Sequence, residues 1–274
     1  MDEKEPSLGS RFRCIGLSTI LVWIVGLLIF AFMALPMLVI VFSAFSPTDF
    51  PTFPPNGFSL RWFKEVLSNE AWTDAVQNSL LLMLIVTPVT TILGTMASYS
   101  LHNLHFRGSE LLQAFFLSPL MIPQIVLGIA MLYVFSAAGW SGSILSLAIG
   151  QTLLAFPYVI RSVSASMATV DPILENASMS LGASPFSTLI HVTLPLIRPG
   201  IIAGAVFAAV TSFGEVSVSL LLSAPTTTPV SVRIFNYIEQ TFDPAVNAVS
   251  VLFIIISIVV LFIVERTVGL SKVV

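Results

Sequence analysis

The amino-acid sequence predicts an all-α membrane protein with six transmembrane helices. Of its 274 residues, 56% are hydrophobic and only 9% are charged, whereas a typical soluble domain carries about 25% charged residues. The mean hydropathy of +0.97 agrees with this composition. So few charges cannot cover the surface of a soluble fold, and we therefore expect membrane lipid to contact most of it. The net charge of −3 gives no indication of a nucleic-acid partner.

Six stretches of the chain are long and apolar enough to cross a bilayer, which requires about 20 residues. They cover residues 15–44, 80–101, 111–135, 144–167, 201–222 and 249–264. The first stretch exceeds the roughly 7–15 residues of a signal-peptide core, so it is predicted to persist as a helix. The third is interrupted by Pro119 and Pro123. On this division residues 1–14 form an N-terminal tail, and residues 15–274 form a single transmembrane domain.

Basic residues indicate the orientation of these spans. Six spans place both termini on one side, and cytoplasmic segments carry an excess of Lys and Arg. With both termini in the cytoplasm, eight of the eleven basic residues are cytoplasmic, and only Arg61, Lys64 and Arg233 lie outside. We therefore predict a multi-pass protein with cytoplasmic termini.

The outer segment between the first two spans, Ser46–Asn78, begins with a Pro-rich stretch. Ser59 is then a suitable cap for a short amphipathic helix, and Trp62 and Trp72 are residue types favoured at the membrane boundary. Two interpretations remain open for this segment: an interfacial anchor, or a docking surface for an external partner.

The connector between the fourth and fifth spans, residues 169–199, carries strong local signals. Asp171-Pro172 predicts a helix start, since Asp is a good N-cap and Pro suits the first helical position. Gly182 is predicted to end this helix in a left-handed conformation. Ser184-Pro185 repeats the start signal, and Pro195 and Pro199 are predicted to break the chain before the fifth span. The sequence thus predicts two short cytoplasmic helices whose apolar side chains are available to a protein partner.

The same connector resembles the cytoplasmic loop of binding-protein-dependent ABC importer permeases. That pattern runs Glu-Ala-Ala, three residues, Gly, nine residues, Ile, one residue and Leu-Pro. Its positions fall on Asn176, Ala177, Ser178, Gly182, Val192, Leu194 and Pro195. Asn176 stands where the pattern has Glu, and Glu175 is its neighbour. Residues 58–62 (FSLRW) and 243–248 (DPAVNA) further resemble the spermidine/putrescine-type subfamily.

The resemblance implies the type I ABC importer architecture, with six spans and a two-helix coupling loop in the inner (plasma) membrane of a bacterium. It also implies three kinds of partner besides membrane lipid: a second permease (a different chain, as the subfamily suggests), two ATPase subunits and a periplasmic solute-binding protein. The implied solute is small, polar and cationic, and polyamine-like. The residues that the resemblance assigns to the ATPase-coupling loop are Glu175, Asn176, Ala177, Leu181, Gly182, Ala183, Phe186, Leu194 and Pro195.

The residues themselves indicate that this chain is not the ATPase and holds no metal. A nucleotide-binding P-loop needs a Lys directly after Gly, and none of Lys4, Lys64 and Lys272 follows a Gly. ATP and Mg²⁺ are therefore expected in a partner subunit, with no cofactor on this chain. Cys14 is the single cysteine, and the three histidines show no zinc-site spacing.

Glu215 is the one acidic residue well inside a predicted span. A charge at the bilayer centre costs about 2.5–3.5 kcal/mol, and such residues usually face a cavity. Ser212, Glu215 and Ser219 are three and four residues apart, so they are predicted to share one helix face, beside Phe213. One hypothesis is that this face lines the path of a cationic solute; the alternative is a protonated, hydrogen-bonded Glu that holds the helix to its neighbour.

Gln124, after the prolines of the third span, is a further candidate for the path, with simple packing as its alternative.

Two other function classes are less consistent with the sequence. An ion-coupled secondary transporter usually needs several intramembrane polar sites and often has internal repeats. An intramembrane enzyme would need paired carboxylates or a histidine cluster within a span. We therefore predict a permease subunit without catalytic residues.

Gly200, Gly204 and Ala208 form a small-residue face that favours close helix packing in the fifth span.

Overall fold

The computed structural model of the chain describes residues 17–50, 53–103, 108–241 and 243–268, and within these ranges the regular elements are all helices. The α-helices, in chain order, are α1 Leu17–Ser43, α2 Arg61–Ser68, α3 Glu70–Asn103, α4 Ser109–Leu117, α5 Gln124–Ala137, α6 Ile144–Met167, α7 Pro172–Ser180, α8 Pro185–Thr188, α9 Leu194–Leu196, α10 Arg198–Gly214, α11 Ser217–Leu222, α12 Val230–Gln240 and α13 Ala245–Val268. A 3₁₀ turn, Ser118–Leu120, follows α4, and a π turn, Leu189–Thr193, joins α8 to α9. The predicted all-α class is confirmed.

Three helices are individually long and apolar enough to cross a membrane: Leu21–Ser43, Glu70–Asn103 and Ile144–Met167. Two further candidates are bent pairs, Ser109–Leu120 with Gln124–Ala137 and Pro185–Leu196 with Arg198–Gly214. Among the residues whose side chains the structure describes, α13 contributes a shorter apolar helix, Ala245–Val259. The apolar stretches thus coincide with helices, and the number of six spans stays a prediction.

The third predicted span is not one continuous helix. Its two halves, α4 with the 3₁₀ turn and α5, are bent by 100°. Pro123 has the extended backbone angles φ −55° and ψ 127° just before α5. Because a proline removes a backbone donor and restricts the residue before it, Pro119 and Pro123 end the first half and start the second.

Helices α3, α6 and α10 pack against one another at the centre of the fold. Small residues allow this close approach: a Cβ added to Gly200 would lie 2.4 Å from Ser166 Cβ, and one added to Gly204 would lie 3.1 Å from Val159 Cγ1. Ala208 is fully buried in the same interface. The small-residue face predicted for the fifth span is confirmed as a packing surface.

The connector 168–197 defines one end of the bundle, called the loop end below, and the opposite end is built by α2, α12 and the first turns of α3 and α13. The two tryptophans assigned to the membrane boundary are instead buried here: Trp62 donates to the carbonyl of Ser46 at 3.1 Å, and Trp72 packs edge-on against Tyr237. Helices α3 and α13 pack on α2, which carries Trp62, and Tyr237 of α12, a helix that was not predicted, packs on Trp72. The position of the two tryptophans at the membrane boundary stays a prediction.

Tyr237 belongs to α12 and donates its hydroxyl to Asp243 Oδ2 at 2.7 Å. Burial, together with this hydrogen bond to a carboxylate, raises the pKa of Tyr237 to about 12. The bond ties the end of α12 to the segment that begins α13.

Candidate functional site

Capping residues set the position of the first loop helix, α7. Asp171 Oδ1 accepts a hydrogen bond from the N–H of Ile173 at 2.9 Å, and Pro172 occupies the first turn. Gly182 follows the helix with φ +92°, a conformation that costs other L-residues about 1–2 kcal/mol. The predicted start and end of this helix are confirmed, because both depend on contacts within a few residues.

The second loop helix runs further than predicted. Ser184 Oγ accepts from the N–H of Ser187 at 3.2 Å, and helical backbone continues from α8 through the π turn and α9. Pro195 does not break it; it lies in α9 directly after the π turn, where the winding is wider than in a regular α-helix. The bend of 71° toward α10 instead falls around Ile197, which is fully buried.

Two side-chain hydrogen bonds fasten α7 to this second helix. Thr193 Oγ1 donates to Glu175 Oε1 at 2.5 Å, and the hydroxyls of Ser178 and Thr188 lie 3.0 Å apart. Thr188 and Thr193 are both buried. Glu175 therefore connects α7 to the π turn, while the neighbouring Asn176 is exposed.

The nine residues assigned to the coupling loop separate into a tip and a base. At the tip, Leu181 is 90% exposed and Phe186 is 70% exposed; Ala177 is also exposed and Ala183 is half-buried. At the base, Leu194 packs against the core cluster that contains Val159, while Pro195 is exposed. Large apolar side chains are thus exposed at the tip of a loop that hydrogen bonds hold in place.

The polar residues of the fifth predicted span do not share one helix face. The helix ends at Gly214, Glu215 has extended angles of φ −72° and ψ 128°, and α11 begins only at Ser217. The prediction assumed a continuous helix from 201 to 222 and was wrong in this respect. A separate contact supports the break, since Ser231 Oγ donates to the carbonyl of Glu215 at 2.7 Å.

Glu215 acts as a cap for α11. Its Oε1 accepts from the N–H of Val218 and its Oε2 from the N–H of Ser219, both at 2.7 Å, and the Ser219 hydroxyl also donates to Oε2 at 2.5 Å. Glu215 is only 6% exposed. Its side chain thus satisfies two backbone donors that the start of α11 leaves unpaired.

Gln151, in α6, joins the two sides of the break. Its Oε1 accepts from Ser212 Oγ at 2.7 Å, and its Nε2 donates to Ser219 Oγ at 3.0 Å. Gln151 is 1% exposed. Ser212, Ser219 and Glu215 are therefore brought together, through a residue that the sequence analysis missed. The available signal was an amide inside an apolar helix, which is rare and usually functional or paired.

Two other candidates for the solute path lie outside this network. Phe213 stacks on Phe253 of α13 with ring centroids 4.6 Å apart. Gln124 is the exposed first residue of α5. Neither side chain takes part in the hydrogen bonds that the structure describes for the Glu215 carboxylate.

Comparisons with known proteins identify relatives over most of this chain. Residues 90–270 match the family described as "Binding-protein-dependent transport system inner membrane component". The chain is 30% identical over 236 residues to the putrescine transport system permease protein PotI of Escherichia coli (strain K12), covering 84% of each chain. It is 26% identical over 231 residues to the spermidine/putrescine transport system permease protein PotC of the same strain, covering 84% of this chain and 87% of that one.

Among solved structures, a chain of a bacterial ABC transporter involved in the import of the acidic polysaccharide alginate has the same fold. The TM-score is 0.71 at 15% sequence identity, covering 92% of this chain and 98% of that chain.

Proposed function

Since this chain belongs to the family of binding-protein-dependent transport system inner membrane components, we propose that it forms half of the channel of an ATP-driven importer of polyamines. It is an inner-membrane permease subunit of an ABC importer that works with a binding protein, and its own role is transport rather than catalysis. The proposal adds a second, different permease chain, two ATPase subunits that bind ATP and Mg²⁺, and cytoplasmic termini.

The loop tip is the observation that carries the coupling part of the proposal. Leu181 and Phe186 expose large apolar surfaces at the end of a support held by the Asp171 cap and the Glu175–Thr193 hydrogen bond. Exposed apolar side chains that are held in place are typical of protein interfaces. The chain has no P-loop lysine, so we infer that the partner at this tip is the subunit that hydrolyses ATP.

The connection between the loop and the bundle suggests how movement is transmitted. The second loop helix passes into α10 through the bend at Ile197, and α10 packs against α3, α6 and α13. A displacement of the tip by the ATPase therefore acts directly on α10. We propose that this displacement opens and closes the channel.

The solute class rests on the two relatives that are putrescine and spermidine/putrescine permeases. Within this chain, both carboxylate oxygens of Glu215 already accept hydrogen bonds from backbone N–H groups at the start of α11. We therefore propose that Glu215 with Ser212 and Ser219 shapes the path by fixing the break between α10 and α11. Direct contacts to the ammonium groups would then come from the other permease and the binding protein.

Co-purification tests the coupling part. We expect Phe186→Ser to reduce the amount of ATPase subunit that stays with the permease in detergent. Phe58→Ser is the matched control, because Phe58 is an equally exposed aromatic residue outside the loop. Equal retention of the ATPase in both variants would contradict the assignment of the tip.

The solute is tested separately in proteoliposomes that contain the complete importer and its binding protein. Labelled putrescine or spermidine is expected to accumulate only when ATP is present on the ATPase side. Failure of both amines to accumulate, with the ATPase still bound, would remove the polyamine assignment and leave the permease assignment intact.

A further inference from the structure

A cavity of about 410 Å³ lies behind the loop, between α7, α8 and the π turn on one side and the ends of α3 and α6 on the other; we call it the loop cavity. Its polar lining includes Tyr99, His102, Asn103, Glu175, Asn176 and Thr193. Neither Leu181 nor Phe186 lines it. An ATPase that covers the loop tip therefore need not fill the loop cavity.

Glu175 gives the loop cavity its negative charge. One carboxylate oxygen, Oε1, accepts the hydroxyl of Thr193, while Oε2 has no hydrogen bond or ion pair within the part of the chain that the structure describes. His102 is the one basic side chain among the described lining residues, and none of them is Lys or Arg. The free carboxylate oxygen is thus an acceptor for a cationic donor.

The remaining lining groups are suited to an ammonium ion on a short carbon chain. A carboxylate binds ammonium through charge-assisted hydrogen bonds, the amides of Asn103 and Asn176 offer further acceptors, and the ring of Tyr99 can lie against a cation. The volume lies in the lower part of the range of small-molecule sites, about 300–1,000 Å³. It is far larger than the roughly 30 Å³ that a water molecule occupies in the liquid, so a single inorganic ion would leave most of it empty.

We propose that the loop cavity binds an aliphatic amine from the loop end of the bundle. The amine class follows from the cavity itself; that the bound amine is also the transported solute rests on the proposed function. A molecule bound there contacts α3, α6 and both loop helices at once. It therefore holds the loop against the bundle and slows the displacement that ATP hydrolysis drives, so that accumulated amine inhibits further import.

Binding is measured on the purified assembly in nanodiscs, without the binding protein, using labelled putrescine as the probe. We expect saturable binding that 1,4-butanediol, the neutral analogue of the same length, does not displace. Glu175→Gln keeps an acceptor for Thr193 and removes only the charge. Loss of one charge-assisted hydrogen bond is expected to weaken putrescine binding about tenfold.

Asn103→Leu is the second variant, because Asn103 lies on α3, outside the loop, and so tests the cavity even if the Glu175 variant does not assemble. Ser180→Ala is the matched control, since Ser180 is on α7 but does not line the cavity. Weaker binding in Asn103→Leu together with unchanged binding in Ser180→Ala supports the proposal. No saturable binding, equal binding in all variants, or displacement by Mg²⁺ alone would overturn it.

The regulatory consequence is tested in proteoliposomes with putrescine added on the ATPase side. We expect the amine to reduce ATP-driven import in the wild type and to have a weaker effect in Asn103→Leu. Equal inhibition of both proteins would overturn the inhibitory role. These results are independent of solute identity, since an assembly that imports another solute would still bind putrescine in the loop cavity.

Discussion

Replacement of Gln151 by Leu is expected to lower the free energy of unfolding by about 1–3 kcal/mol. The substitution removes the hydrogen bond that Ser212 donates to Oε1 and the one that Nε2 donates to Ser219. Side-chain hydrogen bonds between membrane-embedded helices contribute about 0.6 kcal/mol on average and at most about 1.7 kcal/mol each, and two bonds give this range. Leu has a similar volume, so a cavity contributes little.

A double-mutant cycle with Ser212→Ala isolates one of these bonds. The single and double variants are unfolded with SDS in mixed micelles and followed by tryptophan fluorescence. Since either single change already breaks the bond, the destabilisation in the double variant should fall short of the sum by about 0.6–1.7 kcal/mol.

The control cycle pairs Gln151→Leu with Ser257→Ala. Ser257 donates only to Phe253 of its own helix, at 2.8 Å, so the two effects should add. If the effects of Gln151→Leu and Ser212→Ala also add, within about 0.3 kcal/mol, the bridge across the break does not stabilise the protein and the assignment of Gln151 is refuted.

Three further predictions follow from backbone geometry and titration. Gly200→Ala should lower the free energy of unfolding by about 1–3 kcal/mol through overpacking, because the new Cβ would lie 2.4 Å from Ser166 Cβ; Gly26→Ala, with open space around it, should not. Gly182→Ala should reduce ATPase retention more than Gly182→Asn, because Asn tolerates the left-handed conformation better than Ala; equal retention would contradict this. Stability should fall as pH rises from about 10 to about 12, because the unfolded Tyr237 ionises while the native one, with its raised pKa, stays protonated. Ultraviolet difference spectra should show one tyrosine that ionises at a higher pH than the others, and Tyr237→Phe should lack this transition.

The start and end of the first loop helix and the start of the second were predicted correctly because their signals are local. Asp171 caps α7 two residues away, and Gly182 ends it by its own backbone freedom. The sequence also located the interruption of the third span at its prolines. It could not predict the bend of 100°, because a proline shows where a helix stops but not how the two halves pack.

The errors concern contacts between residues far apart in the chain. The break at Glu215 has no proline, and it is supported by Ser231 and, through Ser212 and Ser219, by Gln151 on another helix. The helix α12 was missed although its amphipathic pattern can be read in the sequence; what the sequence does not show is that this face packs against α3 and α13.

The π turn at Leu189–Thr193 determines how the loop responds to a change in its length. Each residue of an α-helix adds about 100° of rotation and 1.5 Å of rise, and a π turn accommodates one residue more than an α turn would. Deleting a single residue there would restore ordinary winding and leave the rotation of the flanking turns almost unchanged, because about five residues of a π turn sweep nearly the same angle as about four residues of an α-helix. A deletion within α7 has no extra residue to remove, and it would rotate the tip by about 100°. The loop can therefore shorten by one residue at Leu189–Thr193 without changing the direction in which its tip points.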